Sequence, residues 1–145
     1  PLLDVFMPNE VEIVHVAAHG AFAGGELPPV PSALPSPDEA LEMIAAKYPH
    51  LLIVLTFGSQ GLRAARGASE RWSMPALPVQ FVDATGAGDA CAAGFLVQYL
   101  QDPHDIEAAL RSGAAAGALS VSVAGACEQP ITRDAWDALR NASLP

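Results

Sequence analysis

Apolar and polar positions along this chain fall into two regimes. Short unbroken apolar runs, bounded by Pro or Gly, are separated by longer stretches with helical spacing. "LLDVFM" (2–7) reads as a short buried strand, and "HLLIVLTFG" (50–58) as a parallel-type strand between Pro49 and Gly58. "LPVQFV" (77–82) is a further strand candidate, and "LRAARG" and "ERWSM" are spaced to pair as a hairpin across Gly67-Ala68-Ser69. Pro8 and Asn9 open a helix, with Glu10 and Glu12 suited to its positive start and Gly20 as its stop. Ser36-Pro37-Asp38-Glu39 supplies a cap, a Pro at the first helical position and acids in the first turn of a helix that runs to about Tyr48. Gly88 to about Gln101 and Asp105 to about Ser120 read as two more, the second rich in Ala and Gly and so suited to close packing. Thr132 caps a last helix through about Asn141. Residues 119–125 fit either a helix end or a turn into strand and loop, and residues 20–37, with three Gly and five Pro, read as a loop. Strands alternating with helices predict an α/β layer fold with a mostly parallel sheet.

Composition narrows the class. The chain has 145 residues, 51% hydrophobic and 16% charged, which suits one domain with a real core and excludes general disorder. Its formal net charge is −9 with seven Lys plus Arg and no basic run, so binding of nucleic acid by phosphate neutralisation is not expected. A phosphorylated ligand would have to be met by backbone N–H groups and a metal ion. Cys91 and Cys127 lie far apart, which favours a reducing, cytoplasmic setting over a disulfide framework. No run approaches the ~18 apolar residues of a membrane span, and the N-terminus shows no basic signal region. The opening "PLLDVFMPNE" lacks an initiator Met and starts within a strand-like run, so it reads as a cut end.

The candidate chemistry sits in "VDATGAGDACAAGF" (82–95), where Asp89 follows two glycines at a helix start. The N–H groups of Ala87, Gly88 and Asp89 are placed to form an anion hole, with Gly86 and Gly88 allowing close approach. Asp89 beside that hole can accept a proton from an attacking hydroxyl, while the N–H groups meet charge developing on a transferred phosphoryl group. Three other motifs use similar letters. A dinucleotide fingerprint is nearly present as "GAGDAC", but Cys91 replaces its third Gly and no strand-ending acid lies ~20 residues on. No Gly-Lys-Ser or Gly-Lys-Thr of a Walker A loop occurs, and Ala84 interrupts an aspartic-protease Asp-Thr-Gly.

"DATGAGDA" resembles the second signature of the ribokinase/PfkB family of carbohydrate kinases. "LTFGSQG" (55–61) resembles that family's nucleotide-binding stretch, "PNEVE" (8–12) its N-x-x-E motif, and "AAAGALSVSVAGA" (114–126) its late segment, all in family order. The resemblance covers nearly the whole chain, is nearest to the ribokinase branch, and implies a ribokinase-like, Rossmann-like three-layer sandwich. It implies that Asp89 is the catalytic base on the sugar hydroxyl and that Gly86, Ala87 and Gly88 form the anion hole. Thr56, Phe57, Gly58, Ser59, Gln60 and Gly61, with Gly88, would run along ATP, and Asn9 would contact its phosphates. Glu12 would help hold Mg²⁺ through water. Asp83 and the carbonyls of Thr85, Ser120, Val123 and Gly125 resemble a monovalent-cation site, which implies K⁺. Ala84 and Cys91 depart from the family pattern, as does Gly113-Ala114 where an adenosine contact is placed.

Family members are about twice this long, and the half that carries the sugar site is absent here. The expectation is therefore an ATP-dependent sugar kinase, ribose favoured, of which residues 1–145 are the C-terminal nucleotide-binding and catalytic half. Fructose, ketodeoxygluconate or a nucleoside stay open as acceptors. Its partners would be a small-molecule sugar, the missing N-terminal half of the same domain and, for the full-length protein, a second copy in a homodimer. The alternatives are a non-catalytic nucleotide-binding fragment and a dinucleotide-binding oxidoreductase. His15 and His19, four apart on one helix face, could hold a metal but have no evident further ligand. Arg63 and Arg66 read as a solvated hairpin face, with a place near phosphate as the alternative; Cys91 reads as a small packed residue ahead of a nucleophile, and the Pro-rich 28–37 as a loop insertion ahead of a partner-binding stretch.

Overall fold

A computed structural model describes residues 3–19, 33–126 and 128–142. The loop expected over 20–37 therefore lies mostly outside the described residues, as does Cys127. The chain divides into two compact units: the first runs to Phe57 and takes in Arg63–Trp72, and the second holds Gly58–Leu62 and the chain from Ser73 onward.

The first unit is built on a sheet. Strand β1 (Val5–Phe6) lies parallel to β2 (Leu52–Thr56), with Val5 opposite Leu52 and Phe6 opposite Ile53. β3 (Leu62–Arg66) and β4 (Glu70–Met74) complete the order β1-β2-β3-β4. Neighbouring strands joined by so few residues must run antiparallel, so the sheet is mixed, with the expected hairpin turning at Gly67. Leu52 through Leu55 are each fully buried, as an interior strand covered on both faces requires.

Helix α1 (Glu10–Ala18) and helix α2 (Pro37–Lys47) pack on this sheet. Ile13 of α1 meets Ala40, Leu41, Ile44 and Ala45 of α2 over Leu51, Ile53, Leu55 and Ala65. Both helix starts are local in origin. Ser36 accepts from the Glu39 N–H while Glu39 returns a carboxylate to the Ser36 N–H, and Pro37 occupies the first helical position.

The second unit is helical. Helix α3 (Ala87–Tyr99), α4 (Ile106–Val121) and α5 (Arg133–Asn141) succeed one another. α3 and α4 cross closely: a Cβ on Gly94 would stand 2.6 Å from Ala116 Cβ, so only glycine permits this approach. Trp136 is buried and its Nε1 donates to Ser112 O at 2.9 Å, which ties α5 to α4. The ambiguous 119–125 stretch resolves as helix through Val121 and then bends.

Residues 77–82, expected as a strand, form none. Pro78 has no N–H to give a ladder, and the Val82 N–H donates to Val121 O at 2.7 Å instead. Phe81 is left 67% exposed. Among the described residues no helix is long and apolar enough to cross a membrane.

Candidate functional site

In the first unit, "PNEVE" folds as a capping box. Asn9 Oδ1 accepts from the N–H groups of Val11 and Glu12, both at 2.9 Å, and Glu12 Oε2 accepts from the Asn9 N–H at 2.9 Å. Asn9 and Glu12 thus hold one another at the start of α1, and the cap uses only one Glu12 oxygen. Asn9 also forms a parallel bridge with Thr56, and the Thr56 N–H donates to Pro8 O at 3.0 Å. Asn9, Glu12 and Thr56 are therefore brought together, with Phe57 next in the chain and packed on the core cluster.

In the second unit, Gly58–Gln60 form one 3₁₀ turn, closed by the Gly61 N–H donating to Gly58 O at 3.1 Å. Gly61 has φ +91 and lies against the backbone of Met74–Ala76, so this end of the loop is tightly set. Ser59 and Gln60 are exposed.

The start of α3 differs from the other four helix starts. Asn9, Ser36, Asp105 and Thr132 each accept a first-turn N–H with a side chain, whereas Gly86, the residue before α3, has none to offer. Its φ of +78 and the approach of Ala126, 2.8 Å from where a Cβ would sit, exclude a capping side chain. Ala87 was expected to give its N–H to an anion; it donates instead to Ala84 O at 3.1 Å, which closes the turn. The N–H groups of Gly88 and Asp89 meet no acceptor among the described residues. Asp89 itself is exposed in the first helical turn.

Gly88 has no positive φ, and a Cβ placed on it would meet nothing within 4 Å. Nothing among the described residues therefore requires glycine there. Gly88→Ala is expected to leave thermal stability unchanged or raise it by up to about 1 kcal/mol. The same variant is expected to weaken any anion bound at this helix start, because its methyl would take up the space beside the free N–H groups. Paired melting and anion-binding measurements check both parts.

Asp83 ties two turns together. Its Oδ1 accepts from Thr85 N at 3.0 Å and Thr85 Oγ1 at 2.8 Å, and its Oδ2 accepts from Gly125 N at 2.9 Å. Ser120 O accepts from the Val123 N–H at 3.4 Å in the adjoining turn. Asp83, Thr85, Ser120, Val123 and Gly125 therefore share one neighbourhood, with Asp83 accepting three hydrogen bonds. The Thr85 N–H first, then that of Gly125, hold its carboxyl below the usual 3.8. A depressed folded pKa adds stability that is present above the unfolded value and is lost as pH falls through the folded one. The melting temperature of Asp83→Asn is thus expected below wild type at pH 7, with the gap closing as pH falls below about 4.

Other candidates take structural positions. His19 Nδ1 lies 2.7 Å from His15 O and the two rings stack, with no cluster of three metal-ligating groups among the described residues. Cys91 is buried and burial pushes its thiol up to about 11, as for a packed residue and unlike an activated nucleophile. A groove of about 760 Å³ beside α1 and α2, lined by Leu34 and Met43 among others, includes none of the predicted site residues. Sequence reasoning missed the Asp83–Gly125 bond, although Asp-Ala-Thr is a recognisable turn signal, and it gave Arg63 no partner.

The model of the pfkB family of carbohydrate kinases matches residues 1–133. The chain belongs to that family. It is 43% identical over 90 residues to a ribokinase of Bacillus subtilis, covering 62% of this chain and 30% of the relative. Among solved structures, a ribokinase of Thermotoga maritima superposes with a TM-score of 0.73 at 26% identity, covering 94% of this chain and 42% of that one. A fructokinase of Vibrio cholerae, bound to fructose, ADP and calcium ion, superposes with a TM-score of 0.72 at 25% identity, covering 94% and 40%. The chain thus spans about a third of the length of the curated pfkB relative, and its fold is ribokinase-like.

Proposed function

We propose that the protein carrying this chain is an ATP-dependent sugar kinase, ribose favoured, and that this chain is its nucleotide-binding and catalytic half. The observation that carries the reading is the uncapped start of α3: two N–H groups without acceptors, an unobstructed Gly88 and an exposed Asp89 on one helical turn. Asp89 accepts the proton of the attacking sugar hydroxyl. The N–H groups of Gly88 and Asp89 stabilise the charge that develops on the transferred phosphoryl group. Each donor or acceptor serves a different atom, which resolves why a carboxylate sits beside an anion hole.

Gly58–Gly61 run along the nucleotide, with Asn9 and Thr56 near its phosphates. A Mg²⁺ held mainly by the phosphates and water needs few protein ligands, and the Glu12 oxygen outside the cap suits a water-bridged contact. The ion would neutralise phosphate charge. Asp83, with the carbonyls of Thr85, Ser120, Val123 and Gly125, would serve K⁺ with whatever acceptor capacity its three hydrogen bonds leave. The sugar site would lie in the missing N-terminal half, and a homodimer of the full-length protein fits this reading.

A second reading, a nucleotide-binding piece without catalysis, is favoured by the short span of the relatives that this chain covers. Sugar-dependent release of ADP by the purified full-length protein, with ribose and fructose offered separately, decides between them. Turnover supports the kinase. Nucleotide binding without any sugar-dependent ADP supports the non-catalytic reading.

A further inference from the structure

The geometry points to Arg63 as a positioning residue for the nucleotide loop, an inference that rests on the sugar-kinase reading above. Arg63 lies on β3, outside every motif. Its guanidinium carbon stands 4.4 Å from the centroid of the Phe57 ring, and its Nη1 donates to Asp38 Oδ1. Phe57 also packs against the core cluster, so its ring has core on its inner contacts and a guanidinium over its face. Asp38 is the second residue of α2, whose start is fixed by the Ser36 capping box and whose body is anchored by Ala40, Leu41 and Ile44. Arg63 therefore links the residue that leads out of β2 to a rigid helix start.

That link bears on the loop that begins immediately after Phe57. Gly58 has φ +51, and a Cβ there would meet nothing within 4 Å, so the first loop residue gains no packing of its own. Gly61, at the far end, is held against the backbone of Met74–Ala76. The loop is tightly set at its end, whereas its starting direction depends on Phe57. On this inference Arg63 acts on the loop through Phe57. A partly exposed cation–π contact with an exposed ion pair accounts for about threefold to tenfold in an equilibrium.

The test uses the full-length protein, with ATP and sugar varied separately. Arg63→Gln is expected to raise KM for ATP about threefold to tenfold, with kcat within about twofold and KM for the sugar unchanged. Arg63→Lys keeps the charge but not the planar face, and falls between wild type and Arg63→Gln. Because Arg63 works through Phe57, Arg63→Gln combined with Phe57→Leu is expected to be no worse than Phe57→Leu alone. Unchanged KM for ATP in Arg63→Gln, or full additivity in the double variant, overturns the inference. Should Arg63→Gln fail to fold, Asp38→Asn decides: it removes the ion pair only, and an unchanged KM for ATP counts against the proposal. If wild type binds ATP but shows no sugar-dependent turnover, the kinase reading has failed. Arg63 is then decided by calorimetry, where a Kd for ATP unchanged by Arg63→Gln overturns its role and a raised Kd sustains it. If wild type binds no ATP, both fail.

Discussion

Replacing Asp89 by Asn is expected to lower kcat for the proposed sugar phosphorylation in the full-length protein by about 10²–10⁴-fold, the range of a lost general base. Asparagine matches the shape of aspartate and leaves the N–H groups of Gly88 and Asp89 in place, but its amide takes no proton at neutral pH. KM for ATP should therefore change little, since the proposed ATP contacts are made by backbone and by residues elsewhere. Asp89 is exposed and makes no side-chain hydrogen bond among the described residues, so the substitution removes no structural contact and stability should hold. Steady-state kinetics beside a melting curve checks this. Near-normal turnover in a folded variant removes Asp89 from the role of base.

Gly61→Ala is expected to have the largest effect on folding. The residue has φ +91, and its Cβ would lie 2.1 Å from Met74 O, 2.6 Å from Ala76 N and 2.7 Å from Pro75 C. All three are backbone atoms, so no rotamer change relieves the overlap. Left-handed backbone strain of about 1–2 kcal/mol adds to overpacking of about 1–3 kcal/mol, a loss of roughly 2–5 kcal/mol. The midpoint of urea unfolding should fall with little change in slope. A midpoint equal to wild type contradicts the packing described here. The contrast with Gly88, where a Cβ would meet nothing within 4 Å, separates a glycine required by the fold from one that the fold does not require.

What the sequence showed clearly was local. Asn9, Ser36, Asp105 and Thr132 each begin a helix by accepting an N–H two or three residues on, so the signal and its partner lie in one short window. The start of α3 was legible in part for the same reason, because Gly86 marks the turn before it, although the Ala87 N–H that was expected to be free closes that turn on Ala84 O. What depended on distant partners was not legible. Residues 77–82 had the composition of a strand, but a strand exists only by pairing, and Val82 bonds to the end of α4. The Asp83–Gly125 bond spans 42 residues and the Arg63–Asp38 pair 25, separations over which no spacing rule operates. Asn9 and Glu12 show a third case: the N-x-x-E spacing that resembles a family motif folds here as the two halves of one capping box, so the spacing alone does not separate a ligand role from a cap.

The most direct test is a crystal structure of the full-length protein with ADP, Mg²⁺, sugar and aluminium fluoride, which mimics the phosphoryl group in flight. Fluoride is expected within about 2.7–3.2 Å of the Gly88 and Asp89 N–H groups, with the Asp89 carboxylate on the acceptor hydroxyl. A fluoride group bound away from the start of α3, or an Asp89 carboxylate that contacts no acceptor oxygen, would contradict it.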